Sequence, residues 1–169
     1  MKRYLLFMLT CNFFISCQPP KENSALNTVN WNKRKATFTK DIPLEKGTSY
    51  LSVYSQVYSQ TEHRTHNLTV TVSLRNLNSH DTVYIDKAAY FDTHGKSIRT
   101  YFEHPIYIAP METVEIVIDE SDKHGGTGGN FLFDWRIHPD SNEPLFEAVM
   151  ISTSGQQGIS FITNGKRIE

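Results

Sequence analysis

The segment from Asp119 to Asn130 is the part of the sequence richest in groups that could do chemistry. Three carboxylates, one imidazole and four glycines fall within these twelve residues, between two apolar stretches. Carboxylate, amide and backbone carbonyl oxygens are the ligands that Ca²⁺ prefers, and glycines let a backbone approach a ligand closely. One hypothesis is therefore a site for Ca²⁺ or another divalent cation, with the ligands Asp119, Glu120, Asp122 and His124.

The same segment supports two other interpretations. One is a loop that contacts a small ligand or a partner protein through Glu120, Asp122, His124, Gly125, Gly126, Gly128 and Asn130. The other, and the simplest, is a plain connection whose glycines only turn the chain. The spacing is not that of an EF-hand, because the bidentate glutamate at the twelfth position is missing, and no Gly-Lys-Ser/Thr follows to make a P-loop. The sequence leaves all three interpretations open and predicts no cofactor besides the cation.

Two smaller patterns carry further hypotheses. His63 and His66 stand three residues apart and could chelate a transition metal on a helical turn, but no third ligand is evident nearby, so we expect a solvated loop. Tyr50, Tyr54 and Tyr58 recur every four residues. A solvent-facing tyrosine row could stack on sugars or on a partner protein, whereas the simpler expectation is that these rings line the core and a sheet edge.

Nucleophilic catalysis finds little support in the sequence. There is no Gly-x-Ser-x-Gly motif, and Ser152, Ser154 and Ser160 have no recognisable base beside them. Carboxylates are available, but their spacing selects no pair that could work across a cleft. No residue is assigned a catalytic role, and the chain is predicted to be a binding or structural module. The alternative is a metal-dependent site on the loop 119–130, which would leave enzymatic activity open.

Composition excludes several other classes of protein. The chain has 169 residues, which is the length of one domain, and 17 basic against 18 acidic residues give a net charge of −1. That balance offers no bulk attraction to nucleic acid, and we expect none as a partner. Two cysteines cannot build a disulfide scaffold or a Cys₄ zinc site.

The N terminus predicts a secretory signal peptide over residues 1–16. Lys2 and Arg3 precede a mostly apolar run, which is shorter than the roughly 20 residues that a bilayer-spanning helix needs. The run ends in Phe14-Ile15-Ser16-Cys17, which resembles a bacterial lipobox. The resemblance implies that Cys17 becomes the lipidated N terminus and holds the protein on a membrane.

This anchor sets the expected location in the bacterial cell envelope. Each buried methylene contributes about 0.8 kcal/mol and one acyl chain holds only marginally, but bacterial lipoproteins as a class carry three chains. Gln18, rather than Asp, follows the cysteine, which resembles the sorting of lipoproteins to the outer membrane of Gram-negative bacteria. The expected partners are the membrane, through the lipid, and an envelope protein or cell-wall component.

Residues 17–35 are predicted to be a lipidated, flexible tether. Pro19 and Pro20 are followed by several Asn and Ser residues without hydrophobic periodicity, and such a composition buries too little apolar surface to offset the entropy of ordering. Trp31 is the exception, and we expect it to dock on the domain or on the lipid interface.

Residues 36–169 are predicted to form one all-β domain. Leu68, Val70, Val72 and Leu74 alternate with polar residues, which is the pattern of a half-buried strand. Seven to nine such strands, with no helical stripe, predict a single antiparallel β-sandwich that is Ig-like in broad topology. The clearest segments are Asn67–Asn76, Val83–Phe91 with its return Ile98–Phe102, Ile106–Ile108, Glu112–Ile118, Asn130–Ile137, Phe146–Ser152 and Ile159–Thr163.

Four segments resemble the bacterial family called domain of unknown function 3124. They are Gly47–Ser55, Val72–Asn76, Gly125–Trp135 and Gln157–Phe161, with Gly129 standing where an alanine is expected. The resemblance covers the chain from about Gly47 to the C terminus. It implies a small, envelope-directed and often lipoprotein-like protein, and it transfers no catalytic residue.

Overall fold

The structure is a computed structural model, and it describes residues 29–38, 43–153 and 158–169. The predicted signal peptide and Cys17 lie outside these residues. One 3-10 turn, Trp31–Arg34, precedes a series of β-strands. The strands are β1 Glu45–Val53, β2 Gln56–Ser59, β3 Thr61–Asn67, β4 Thr69–Arg75, β5 Val83–Phe91, β6 Ser97–Thr100, β7 Ile106–Ile108, β8 Thr113–Ile118, β9 Gly129–Ile137, β10 Leu145–Ser152, β11 Ile159–Asn164 and β12 Lys166–Arg167. Among the residues described, no helix has the length and apolar character to cross a bilayer.

Two antiparallel sheets pack face to face. The first has the order β12-β1-β9-β5, and the outer edge of β5 pairs with β7 along its first half and with β6 along its second. The second has the order β11-β10-β4-β8. A separate two-stranded ribbon joins β2 to β3. The predicted antiparallel β-sandwich is therefore confirmed.

Alternating burial along the central strands builds the core. On β9, every second residue from Gly129 to Ile137 is buried, and the rings of Phe131, Phe133 and Trp135 point into the sandwich. The ring of Phe133 stacks on that of Phe131, with centroids 5.3 Å apart, and on Phe146 from the opposite sheet at 4.2 Å. Burying a side chain of this size contributes about 1.5–3 kcal/mol, so this aromatic stack is a major part of the contact between the sheets.

Trp135 explains an unusual sequence on the neighbouring strand β1. Its indole nitrogen donates a hydrogen bond to the hydroxyl oxygen of Ser49, at 2.9 Å. A Cβ atom on Gly47 would lie only 2.3 Å from the indole ring. The small residues of β1 therefore make room for the largest side chain of the core.

Strand bounds agree closely with the alternating segments of the sequence. Val83–Phe91 is a strand with the predicted limits, and the turn from Asp92 to Lys96 connects it to β6 as the predicted hairpin. The carboxylate of Asp92 stabilises that turn by accepting hydrogen bonds from the backbone N–H groups of His94 and Lys96. The expected count of seven to nine strands is too low, because β1, β2, β3 and β12 lack a clear apolar alternation.

The two sides of the sandwich are covered differently. On one side the chain passes from β11 through Gly165 into β12, and so moves from the second sheet to the first. On the other side lies the N-terminal segment 29–38. Trp31 packs on Phe102 with ring centroids 5.1 Å apart, and Lys35 pairs with Ile106. The described part of the predicted tether, residues 29–35, thus lies against the sandwich, and Trp31 docks on the domain.

Candidate functional site

The glycine-rich segment connects β8 to β9 at one end of the sandwich, where it crosses from the second sheet to the first. Three neighbouring groups hold its backbone. The Gly126 carbonyl accepts a hydrogen bond from the backbone N–H of Gln56 at 3.0 Å, and the Gly125 carbonyl accepts one from the hydroxyl of Thr93 at 3.0 Å. The hydroxyl of Ser55 also donates to the Gly126 carbonyl, at 3.4 Å. We call the segment 119–128, with the turn 92–96 beside it, the loop corner.

The glycines of the loop corner serve close packing. A Cβ on Gly125 would lie 1.8 Å from the hydroxyl oxygen of Tyr90, which no real side chain tolerates. Gly126 has a φ of +65°, in the left-handed region, and a Cβ there would lie 2.7 Å from the hydroxyl of Thr93. The carbonyls of both glycines also accept hydrogen bonds from the protein, which holds their backbone against Ser55, Gln56 and Thr93. Gly125 and Gly126 are therefore needed because the chain turns next to the side chains of Tyr90 and Thr93 and leaves no room for a Cβ atom.

The acidic residues of the loop corner do not converge. Asp119 accepts a hydrogen bond from the backbone N–H of Ser121 at 2.7 Å, whereas Asp122 pairs with Arg99 and accepts from the imidazole Nδ1 of His124 at 2.7 Å. Glu120 is exposed. In the described part of the chain, no three His, Cys, Asp or Glu side chains lie close enough together to hold a metal ion. The ligand set predicted for a divalent cation is therefore not assembled.

Asp122 is the electrostatic centre of the loop corner. Partial burial opposes its ionisation, but the hydrogen bonds from His124 and Arg99 outweigh burial and hold the pKa of Asp122 below its usual range. The guanidinium of Arg99 also lies over the rings of Tyr90 and Tyr101, at 5.8 and 5.9 Å from their centroids. Arg99 thus links the loop, the strand β6 and two core tyrosines into one rigid unit.

A shallow polar cavity opens beside this unit. It has a volume of about 380 Å³ and is lined by Asp92, Lys96, Ser97, Ile98, Arg99 and His124. Hydrogen bonds from the backbone of Lys96 and His94 hold the pKa of Asp92 below its usual range. At neutral pH the cavity therefore places one carboxylate among two permanent cations and an imidazole.

A second cavity follows the strand β8 and has a more apolar lining. It has a volume of about 580 Å³. One wall is the strand itself, and the other comes from the N-terminal segment and from Tyr101 after β6. We call it the β8 groove, and its lining is Val29, Trp31, Arg34, Tyr101, Thr113, Val114, Glu115, Ile116, Val117 and Asp119. Burial raises the pKa of Tyr101 to about 12, so its phenol stays neutral.

The β8 groove was not predicted from the sequence. It exists because Trp31 and Arg34 dock on the sandwich, and Arg34 does so through a paired contact with Glu112, at 2.6 and 3.0 Å. The available signals were a tryptophan in a polar segment and two prolines, Pro105 and Pro110, that mark the neighbouring strand as an edge. Neither signal shows which surfaces meet.

The remaining candidates are dispersed. His63 and His66 lie on β3 rather than in the expected loop, and the pairing of β3 with β2 shifts register between Thr61 and Thr65, where His63 lies. Tyr50 and Tyr58 are exposed on two different sheets, whereas Tyr54 packs against the ring of Phe161 at 5.8 Å. The tyrosines do not form one solvent-facing row. Ser154 lies outside the described residues.

Comparison with known proteins gives one result. No curated protein and no solved structure matches the chain. A family model matches residues 46–168, which is most of the chain. The match covers β1 with Gly47, the loop corner and the aromatic strand β9. The chain therefore belongs to the family described as "Protein of unknown function (DUF3124)".

Proposed function

We propose that this chain is a lipoprotein anchored in the bacterial cell envelope, and that its β-sandwich is a non-catalytic binding module. The anchor is supported by the sequence from Met1 to Cys17, with its basic start, short apolar run and lipobox-like end. The binding role is supported by the loop corner. Its backbone accepts hydrogen bonds from Ser55, Gln56 and Thr93. The side chains of Glu120, Lys123 and His124 are exposed at its surface.

Rigidity is what makes the loop corner suitable for binding. Ordering a mobile side chain or loop on association costs about 0.5–1.5 kcal/mol per side chain. The hydrogen bonds to Gly125 and Gly126 and the pairing of Asp122 with Arg99 order the loop before any partner arrives. A partner would therefore meet a preformed surface of mixed charge, and the loop corner is the observation that carries the proposal.

The length of the tether limits where the partner can be. Eleven residues, 18–28, lie between Cys17 and Val29, the first described residue, so twelve Cα-to-Cα steps join the two. Even a fully extended chain of this length spans at most about 43 Å. A partner of the domain would therefore belong to the membrane surface or to the layer of the envelope next to it.

Lipidation can be tested separately from binding. Mass spectrometry of the protein from its native membrane should show a mature N terminus at Cys17 that carries a diacylglyceryl group. The Cys17→Ala variant should leave the membrane fraction after a salt wash. A variant that stays bound to the membrane as strongly as the wild type would refute the anchor.

Binding at the loop corner can be tested by photo-crosslinking in the cell. A photoreactive residue at Glu120 or Lys123 should give a reproducible crosslinked product, whereas the same residue at the distant, exposed Glu45 should not. A second substitution, Lys123→Glu, should weaken the product made from Glu120. Equal products from all three positions, or none from the loop, would contradict the proposed role of the loop corner.

A further inference from the structure

The strand β8 is an unprotected edge. It lies at the end of the order β11-β10-β4-β8 and pairs only with β4 within the described residues. In an antiparallel ladder every second residue directs its N–H and C=O groups away from the partner strand. Such a row of unpaired groups is a template for another extended chain.

The β8 groove runs along this edge rather than over one face of the sheet. Its lining includes the consecutive residues Thr113 to Val117. Successive side chains of a strand point to opposite faces, so a cavity that touches all of them must follow the backbone. Trp31 and Tyr101 form the opposite wall, and the space between the walls, about 580 Å³, can hold an extended backbone.

The charges and the residue spacing along β8 indicate which kind of segment could bind at this edge. No lysine or arginine occurs between Thr100 and Asp122. Glu115 and Val117 alternate with buried residues on β8 and are exposed on its outer face. Asp119, the residue directly after the strand, is exposed and also lines the groove. Glu115 is exposed and has no ion pair or side-chain hydrogen bond with any described residue. Val117 is 61% exposed.

The one cation of the groove does not cancel this acidity. Arg34 is paired with Glu112 through two short hydrogen bonds. Its positive charge is therefore already compensated, and the charges of Glu115 and Asp119 remain. Opposite charges and apolar groups that face each other across neighbouring strands stabilise the pair, and like charges destabilise it.

We infer that the β8 groove binds an extended polypeptide segment by strand addition, and that this segment carries a basic–x–apolar–x–basic pattern opposite Glu115, Val117 and Asp119. The backbone of the segment would complete the hydrogen bonds of the edge. Its two basic residues would face the carboxylates, and its central apolar residue would cover Val117. The inference deepens the proposed binding role and depends on it for the presence of such a segment in the envelope.

A synthetic peptide of this pattern tests the inference with the full-length protein in detergent solution. The probe is the acetylated, amidated peptide Thr-Lys-Thr-Val-Thr-Lys-Thr, and calorimetry at low ionic strength should give saturable binding with one site. Replacing both lysines by glutamate should weaken binding at least fivefold. No heat of binding at millimolar peptide would overturn the inference.

Backbone methylation separates strand addition from simple charge attraction. Two further peptides carry N-methyl groups, one at the second, fourth and sixth amides and the other at the third and fifth. Only one of these sets can face β8, so one peptide should lose binding at least tenfold while the other keeps it within threefold. Equal affinities would show that the edge hydrogen bonds are not made, and would overturn the inference.

Matched protein variants locate the site. Glu115→Lys should weaken binding of the lysine peptide at least fivefold, whereas Glu45→Lys makes the same change of charge at an exposed position outside the groove and the loop corner and should leave the affinity within twofold. Thermal unfolding of both variants shows that each is folded. An equal loss in both would mean that net charge alone attracts the peptide. If the wild-type protein does not bind the peptide but still gives the crosslinks from the loop corner, the groove is refuted and the proposed function stands.

Discussion

Replacing Gly125 by alanine should destabilise the sandwich through one defined clash. The new Cβ would lie 1.8 Å from the hydroxyl oxygen of Tyr90 and 2.8 Å from the ring carbon that carries it. Tyr90 is fully buried and stacks on Phe131 with centroids 4.8 Å apart, so it cannot swing away. Forcing an extra carbon into a packed interior costs about 1–3 kcal/mol. For a domain of about 130 residues, 2 kcal/mol lowers the melting temperature by roughly 7 °C.

The clash can be isolated by a double-mutant cycle measured with urea denaturation. In a Tyr90→Phe background the atom at 1.8 Å is gone and the nearest remaining one lies at 2.8 Å. The cost of Gly125→Ala should therefore fall by at least half. Gly158→Ala is the matched control, because its Cβ would meet no atom of the described residues closer than 3.8 Å, and it should change stability by less than about 1 kcal/mol. If Gly125→Ala costs no more than the control, or the same in both backgrounds, the packing role of Gly125 is refuted.

Three further predictions test other contacts. Phe146→Ala removes the ring stacked on Phe133 at 4.2 Å and should lower the free energy of unfolding by about 3–5 kcal/mol in urea denaturation; a loss below about 1 kcal/mol would contradict the buried stack. The hydrogen bond from Arg34 lowers the pKa of Glu112 from 4.5. The stabilisation from this ion pair is thus fully present above pH 4.5 and is lost as the pH falls through the lower pKa of Glu112 in the folded state. In the Glu112→Gln variant, the melting temperature should therefore depend less steeply on pH below about 4.5. An unchanged slope would count against the ion pair. Trp31→Ala should speed the exchange of amide hydrogens in residues 29–35 at least tenfold, whereas unchanged exchange would show that the ring does not hold the segment.

The sequence predicted the strands that carry an uninterrupted apolar alternation. Thr69–Arg75 and Thr113–Ile118 were found within two residues because every second side chain is buried and aliphatic. Strand β1 was not predicted, because two of its buried positions are Gly47 and Ser49, which give no apolar alternation. Their size is set by Trp135 on the neighbouring strand, and no local pattern can show a contact made 86 residues away. Strand β3 was not predicted for the opposite reason, because it is polar on both faces and, among the described residues, pairs only with β2.

The composition of the loop 119–130 identified it as a candidate site, but it did not predict what its glycines and carboxylates contact. Its glycines first suggested a backbone open to a ligand. The structure instead places Gly125 against Tyr90 and Gly126 against Thr93, on strands and turns far away in the sequence. The carboxylates are close together in the sequence, but Asp119 accepts a hydrogen bond from the backbone N–H of Ser121 in its own loop, whereas Asp122 pairs with Arg99. Spacing alone cannot distinguish side chains that converge from side chains that each stabilise a separate turn.

The position of the tether connects the two proposals. Val29 is the first described residue of the predicted tether 17–35, and it also lines the β8 groove. Asp119 ends the groove and begins the loop corner. The groove and the loop corner are therefore one continuous surface that starts where the tether enters the domain. If Cys17 carries the proposed lipid, the stretch from Cys17 to Val29 spans at most about 43 Å, and this surface would stay beside the membrane. An extended segment of a membrane-proximal protein could then meet the edge of β8 while the lipid stays in the membrane.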